Sequence, residues 1–397
     1  MAAMVRPIIL LLAILNITFV ILILREAPLF DTREAVYERM VEEACPSKND
    51  HRVCVENLLV KTIAENGLSE GFQMLRAHYL ANVKFRSGCH PAALNAGTAL
   101  GKTQRDYLKF SYSPESTWCN FGFYQGYPEG LLISGASIGY ARKFCEYVGV
   151  KLGEEVPAAR AECFRGIGRA LPFLKKELWG DATRMASYAT ETCEAIAPEG
   201  DPYQYCILGV FNHIARKKMA QEYGLSVNTR NPFELCDDQP KNLEKECRAG
   251  MQWAAFSLVT SSGDFAARLQ DALSIFDTAP TSSVFDVIWT LGYEEGRGVV
   301  AGNDTDENAV RACAILPADL QTRCIQGIVI GLVKHGIPDK QHEHVNEFCA
   351  KAIATMHALK KEDCSGPAIR FLRGLRSPMK FEKVCDEFDG RLGVTCE

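Results

Sequence analysis

Sixteen cysteines, all in the part of the chain beyond residue 44, constrain this sequence more than any other feature. Taken in order they form close couples. Cys236 with Cys247, Cys313 with Cys324 and Cys385 with Cys396 each enclose ten residues. Cys193 with Cys206 encloses twelve, Cys349 with Cys364 fourteen, Cys145 with Cys163 seventeen and Cys45 with Cys54 eight. The enclosed stretches carry Pro, Gly, Asp and Asn, as in Pro198-Glu199-Gly200-Asp201-Pro202, and read as loops. An even number of cysteines coupled in this way predicts disulfides, and disulfides persist in oxidising compartments.

The apolar stretch after each second cysteine recurs. Cys119-Asn-Phe-Gly122, Cys163-Phe-Arg-Gly166, Cys206-Ile-Leu-Gly209, Cys247-Arg-Ala-Gly250 and Cys324-Ile-Gln-Gly327 share one pattern. Four residues after the glycine a small residue often follows, as at Gly126, Ala170, Ala254 and Gly331. Residues four apart share a helix face, and small residues there let a neighbouring helix backbone approach closely. Starts at 119, 163, 206, 247, 324 and 364 are spaced by 44, 43, 41, 77 and 40 residues. The long step holds one more unit, Trp289-Thr-Leu-Gly292 followed by Gly296, with Trp289 in the cysteine position. Its partner position, near Asp277 to Thr281, also lacks a cysteine. Both halves of one bridge are missing together, which argues that the couples are bridges.

A period of about 40 residues with two apolar helical stretches per unit predicts stapled helix hairpins: helix A ends at the first cysteine and helix B opens at the second. The expected fold is all-α, an α-solenoid or α/α-toroid-like array over 118–397, with divergent capping helices over 31–117. One couple resists. Cys89 and Cys119 both open apolar helical stretches, near His90 to Asp106 and from Asn120. Consecutive antiparallel helices start at opposite ends, roughly 25 Å apart for seventeen residues, so their pairing stays open.

The N-terminus carries a separate signal. After a short flank, 1–6, Pro7 to Leu24 is uncharged and sits between Arg6 and Arg25. As a helix it spans about 27 Å, close to a bilayer's hydrocarbon thickness. It ends in Arg25-Glu26-Ala27-Pro28, a poor cleavage context, so an uncleaved transmembrane anchor is expected in preference to a signal peptide. The cysteines then put the C-terminal domain on the extracytoplasmic side.

Net charge is −5, and the short basic clusters Arg216-Lys217-Lys218 and Arg370 to Lys383 read as solvated helix faces, so no nucleic-acid partner is expected. No Cys-x-x-Cys occurs, and no metal site is expected from the cysteines. His342 and His344 point to different helix faces, and His90, His213 and His335 read as structural. There is no P-loop, no Gly-x-Ser-x-Gly and no dinucleotide fingerprint in the right context, so no cofactor is expected. Asn303-Asp-Thr305 is a glycosylation sequon in a polar loop, and Asn16-Ile-Thr18 lies within the span.

Two segments combine Trp, Tyr, Glu and glycines: Trp118 to Gly130 and Trp289 to Gly298. Aromatic faces beside hydrogen-bonding groups suit glycan or peptide binding, which makes Trp118, Tyr124, Tyr127, Trp289, Tyr293 and Arg297 the candidate binding residues. The competing reading is packing: glycines for close helix approach, aromatics to fill space. Glu129 with Glu294 or Glu295 could supply the two carboxylates of glycoside hydrolysis, on fold-level analogy with helix-hairpin toroids. The expected function is a membrane-anchored interaction scaffold or binding module for a protein or glycan partner, with the glycosidase as alternative.

Overall fold

The computed structural model describes residues 33–46, 50–197, 200–259, 263–277, 280–376 and 378–394. The expected anchor at 7–24, its flank, the Asn16 sequon and Cys396 lie outside them. Among the described residues the chain is all-helical, with no strand, and no helix is long and apolar enough to cross a membrane.

Three helices open the described chain: α1 (Arg33–Ala44), α2 (His51–Asn66) and α3 (Leu68–Ala81). Two more follow without an intervening partner, α4 (Cys89–Thr103) and α5 (Gly122–Ile133). From there helices come in pairs. These are α6 (Ile138–Leu152) with α7 (Ala159–Ala170), and α8 (Ala182–Ile196) with α9 (Gly200–Met219). The short α10 (Glu234–Asp237) precedes α11 (Lys241–Phe256), and α12 (Phe265–Ile275) precedes α13 (Thr281–Val300). Then come α14 (Asp306–Ala314) with α15 (Ala318–His335), α16 (Gln341–Thr355) with α17 (Lys361–Leu375), and a last helix, α18 (Pro378–Leu392).

Local chemistry marks the two members of a pair differently. Ser137, Asp181, Asp264 and Thr305 cap α6, α8, α12 and α14, each side chain accepting a hydrogen bond from the backbone N–H three residues on. Such caps are worth about 1 kcal/mol each. Three second members of the pairs, α11, α13 and α15, follow Pro240, Pro280 and Pro317 at the N-cap position. Proline suits a helix start because the first backbone N–H groups have no intrahelical acceptor.

Seven described disulfides join neighbouring cysteines, six as expected and one, Cys89–Cys119, where the sequence left the pairing open. Cys45 pairs with Cys54, Cys89 with Cys119, Cys145 with Cys163, and Cys193 with Cys206. Cys236 pairs with Cys247, Cys313 with Cys324, and Cys349 with Cys364. The eighth couple, Cys385 with Cys396, has its second member outside the described residues. The hairpin α12–α13 carries Trp289 where its relatives carry a cysteine.

The second cysteines do not open their helices, however, which corrects the expected boundary. Cys206, Cys247 and Cys324 each lie six residues beyond the first residue of their helix, and Cys364 lies three beyond the start of α17. Cys145, expected to end its helix, sits mid-helix in α6. The physical reason is reach. Bridged Cα atoms must lie within about 7 Å, and they do so where the two helices face each other, 5.9 Å apart at Cys349 and Cys364. The staple joins facing turns rather than the hairpin's tip.

The pair Cys89–Cys119 resolves on topology. A Cβ on Gly126 would meet Leu94 O and Thr98 N, and one on Gly130 would meet Thr98 O; one on Gly97 would meet Phe123 O and Tyr127 N. Contacts that advance together on both helices mean α4 and α5 run parallel. The irregular stretch 104–121 returns the chain to the starting end, so both cysteines lie there, with Cα atoms 5.3 Å apart. The assumption of antiparallel neighbours was the error.

The same parallel packing continues around the second members of the pairs. Glu129 of α5 reaches Arg169 of α7 at 2.8 Å, and Gln125 reaches Glu162 at 2.8 Å. Gly209 of α9 packs on the Arg165 carbonyl, Gly250 of α11 on Phe211 and Asn212, and Gly327 of α15 on the Trp289 carbonyl. The recurrent glycine is therefore the contact point between successive inner helices. The array curls until its ends meet: the Tyr79 hydroxyl of α3 donates to the His335 carbonyl of α15, and Ala158 N–H donates to Gly374 O of α17 at 2.9 Å. Helix α4, in the stretch expected to cap, belongs to this inner ring. The apolar core lies between inner and outer helices, with Tyr124, Tyr127, Phe144, Phe164 and Phe211 among its largest fully buried side chains.

Candidate functional site

Because the inner helices are parallel and the ring closes, they present one face each to a common axis. Seven of them, α4, α5, α7, α9, α11, α13 and α15, line a central chamber of about 80 Å³. Its wall carries Arg165 and Arg169 from α7, Arg216 from α9, Arg297 from α13 and Lys334 from α15, against one carboxylate, Glu294. The amides of Asn120, Gln125, Asn212 and Gln252 and the rings of Trp253, Trp289 and Tyr293 complete it.

Three of the five cations are neutralised. Arg169 pairs with Glu129 at 2.8 Å, Arg297 with Glu294 at 3.0 Å, and Arg165 with Glu162 at 3.6 Å. Arg216 and Lys334 are not. Arg216 lies over the Trp253 ring at 5.8 Å, and the Lys334 ammonium over Tyr293 at 5.8 Å and Phe371 at 5.1 Å. Rings stabilise a cation by about 0.5–2 kcal/mol, which does not replace lost hydration. The strain shows in the acid–base behaviour. Burial, with Arg165 nearby, lowers Lys334 to about 8. Burial, with Arg169 and Arg165 nearby, lowers Arg216 to about 10.

The histidines around the chamber are neutral for the same reasons. Burial, against the opposing hydrogen bond to Cys119 O, and then the neighbouring arginines take His90 to about 3. Burial and Arg297 push His335 far down, and its Nε2 lies 2.8 Å from the Tyr293 hydroxyl. His342 and His344 do take different partners, Glu387 at 2.8 Å and Asp306 at 3.0 Å. Among the described residues no group of three or more His, Cys, Asp and Glu side chains is placed to hold a metal ion.

The two aromatic segments separate. Tyr124 and Tyr127 are fully buried, the first against the Ser116 hydroxyl and the second donating to Gln104 O at 2.6 Å. They fill the space between helix layers and have no face for a ligand, which corrects their expected binding role. Trp118 is half-buried under the Arg76 guanidinium, 4.9 Å from its ring, in the wall of a second cavity. Trp289, Tyr293 and Arg297 all face the chamber. Trp289 and Tyr293 stack with centroids 5.8 Å apart, and Trp253 meets Tyr293 edge-on at 5.9 Å.

The carboxylates do not form an acid–base pair across a cavity. Glu294 is on the chamber wall, Glu129 is locked behind it by Arg169, and Glu295 points away to Arg268 at 2.7 Å. Two carboxyl groups must flank one glycosidic bond in that chemistry. The basic cluster 216–218 is not a solvated face either. Arg216 lines the chamber, and Lys218 is buried and paired with Glu234 at 3.0 Å. Its register held the missing signal: Arg216 and Lys334 each lie ten residues after the second cysteine of their unit. Gln125, Arg169, Asn212 and Trp253 each lie six after theirs, and all line the chamber.

Comparison with known proteins finds no family model, no curated protein and no solved structure that matches this chain. The seven disulfides place the domain in an oxidising, extracellular or secretory environment.

Proposed function

We propose that this chain is an extracytoplasmic binding module, a ring of stapled helix hairpins held at a membrane by the span 7–24, whose central chamber takes the acidic group of its partner. The observation that carries the reading is the pair of half-buried cations in the chamber wall, Arg216 and Lys334, neither of which is paired with a carboxylate among the described residues. Partial desolvation of an unpaired charge is unfavourable, and a bound anion offsets that cost. The chamber's amides give an acid group further donors, and Trp289 and Tyr293 give it an apolar side. The partner is a protein, glycan or smaller molecule that presents a carboxylate, sulfonate, sulfate or phosphate.

Calorimetric titration of the domain from residue 31 onward with sodium sulfate and sodium methanesulfonate, at low ionic strength, tests this. Saturable binding of one anion per chain is expected, with no heat from methanol or glucose as neutral counterparts. The double substitution Arg216→Gln with Lys334→Met should abolish it. Absence of anion binding by the unmodified protein, or its persistence in a folded double variant, overturns the reading.

A further inference from the structure

The chamber is too small for a whole organic ligand. At about 80 Å³ it holds an acid group but not a ring, since benzene occupies a cavity of about 150 Å³. It is not isolated, however. A second cavity of about 160 Å³ lies between α3, the stretch 86–90, the loop 114–120, the end of α15 and α17. His90, Asn120, Lys334 and His335 belong to the walls of both.

This outer cavity has an apolar side as well as a charged one. Phe72, Leu75, Tyr79, Trp118, Phe371 and Leu375 contribute rings and branched chains. Several of its charged groups are already engaged. Arg376 is held by Asp339 at 3.4 Å and Gln341 at 3.2 Å, Lys380 by Glu155 at 3.9 Å, and Arg86 by the carbonyls of Tyr79 and Leu80 at 3.3 Å. Lys334, at the junction, has neither a carboxylate nor a carbonyl holding its ammonium among the described residues, whereas Arg86, also without an acid, is held by its two carbonyls. Asn120 Oδ1, at the same junction, is buried without a hydrogen-bond partner among the described residues.

The shared wall is also strained. Cys119, Asn120 and Phe121 all have left-handed backbones, with φ of 57°, 54° and 58°. The left-handed region is disfavoured for residues with a Cβ, and strain of this kind collects at ligand-binding positions. Asn120, in the middle of this run, lines both cavities.

Resting on the anion-binding reading above, we infer that the ligand is a small organic acid with a ring-sized apolar body, seated with the body in the outer cavity and the acid group at Lys334. The volume of the outer cavity decides the body: it matches a single aryl or compact branched group, whereas a long acyl chain would have to leave it. The rings and branched chains on its apolar side, with the charged groups opposite largely engaged, favour an aryl ring over a sugar ring of similar size.

Calorimetry with benzenesulfonate, methanesulfonate, glucuronate and an alkylsulfonate series tests the assignment, because each carries one fixed negative charge at neutral pH. Benzenesulfonate should bind at least tenfold more tightly than methanesulfonate or glucuronate. Among alkylsulfonates the affinity should stop rising beyond about hexyl. Phe371→Ala should shrink the benzenesulfonate advantage and leave methanesulfonate unchanged, while Lys334→Met should abolish both. Equal affinity for benzenesulfonate and methanesulfonate overturns this inference and leaves the chamber's anion site standing. So does a preference for glucuronate, or affinity that climbs steadily to dodecyl, which would mark a lipid. The ranking on the unmodified protein decides the matter even if a variant does not fold. Binding of none of these anions overturns both readings.

Discussion

Gly296 and Gly298 lie two residues apart on α13, and replacing each by alanine should move stability in opposite directions. A Cβ on Gly296 would sit 2.2 Å from the Ile328 carbonyl oxygen and 3.1 Å from Gly331 Cα, both on the backbone of α15. Backbone cannot swing aside as a flexible side chain can, so α13 and α15 must part by about 1 Å to restore ordinary contact. Overpacking a tight site costs typically 1–3 kcal/mol. The rigid obstacle puts Gly296→Ala near about 3 kcal/mol. A Cβ on Gly298 would meet nothing within 4 Å. There the substitution only removes glycine's excess freedom in the unfolded chain and should stabilise by about 0.5 kcal/mol. Urea unfolding followed by circular dichroism, with bridges intact, should separate the two midpoints by the equivalent of about 3.5 kcal/mol. Equal midpoints, or a Gly296→Ala protein at least as stable as the parent, would refute the claim that these glycines set the spacing of the inner helices.

Affinity for benzenesulfonate should fall as pH rises through about 8, where Lys334 loses its proton. Around it stand Arg165 and Glu162 of α7, Tyr293 of α13, His335 of its own helix and His90 of α4; a flat profile from pH 7 to 9.5 would remove Lys334 from the site. Glu38 is raised to about 7, by burial and then by Glu42, and its Oε2 lies 3.1 Å from His78 Nδ1. His51 Nδ1 donates to Cys45 O and its Nε2 lies 2.8 Å from His78 Nε2, so when each ring carries one proton, Glu38 must donate. Its folded value exceeds the ordinary 4.5, so this contribution to stability is full below about 4.5 and is lost as pH rises through about 7. Glu38→Gln, which donates at every pH, should therefore raise the melting temperature at pH 8.5 and leave it nearly unchanged at pH 5. Replacing Cys236 and Cys247 by serine should cost roughly 3 kcal/mol from a loop of this length, read by the same urea titration. Non-reducing peptide mapping should recover Cys89 joined to Cys119, and a free thiol at either position would break the parallel arrangement of α4 and α5.

Much of this fold was written in spacing. The cysteine couples and the glycine three residues after Cys119, Cys163, Cys206, Cys247 and Cys324 are local signals, and both mark inner-helix contacts. Cys89 and Cys119 were harder, because parallel and antiparallel neighbours share one amphipathic pattern and only the return path 104–121 tells them apart. Of the candidate site, Trp289, Tyr293 and Arg297 were legible as an unusual run. Tyr124 and Tyr127 looked the same in sequence, yet their face of α5 turns to the outer layer. The chamber's cations escaped notice because convergence on an axis is a property of the closed ring. Arg165, Arg216 and Lys334 are separated by tens of residues and read singly as ordinary helix-surface charges.

The seven staples are all short stitches between successive segments, spanning from 9 residues at Cys45–Cys54 to 30 at Cys89–Cys119. None ties one side of the ring to the other. Closure rests on contacts such as Tyr79 with His335 and Ala158 with Gly374. Mechanically, the domain is a bracelet of riveted links with an unriveted clasp. Pulled from its ends it can uncurl link by link without breaking a covalent bond, and each link keeps its own shape. The α12–α13 link, with no rivet at Trp289, is the one expected to deform before the others.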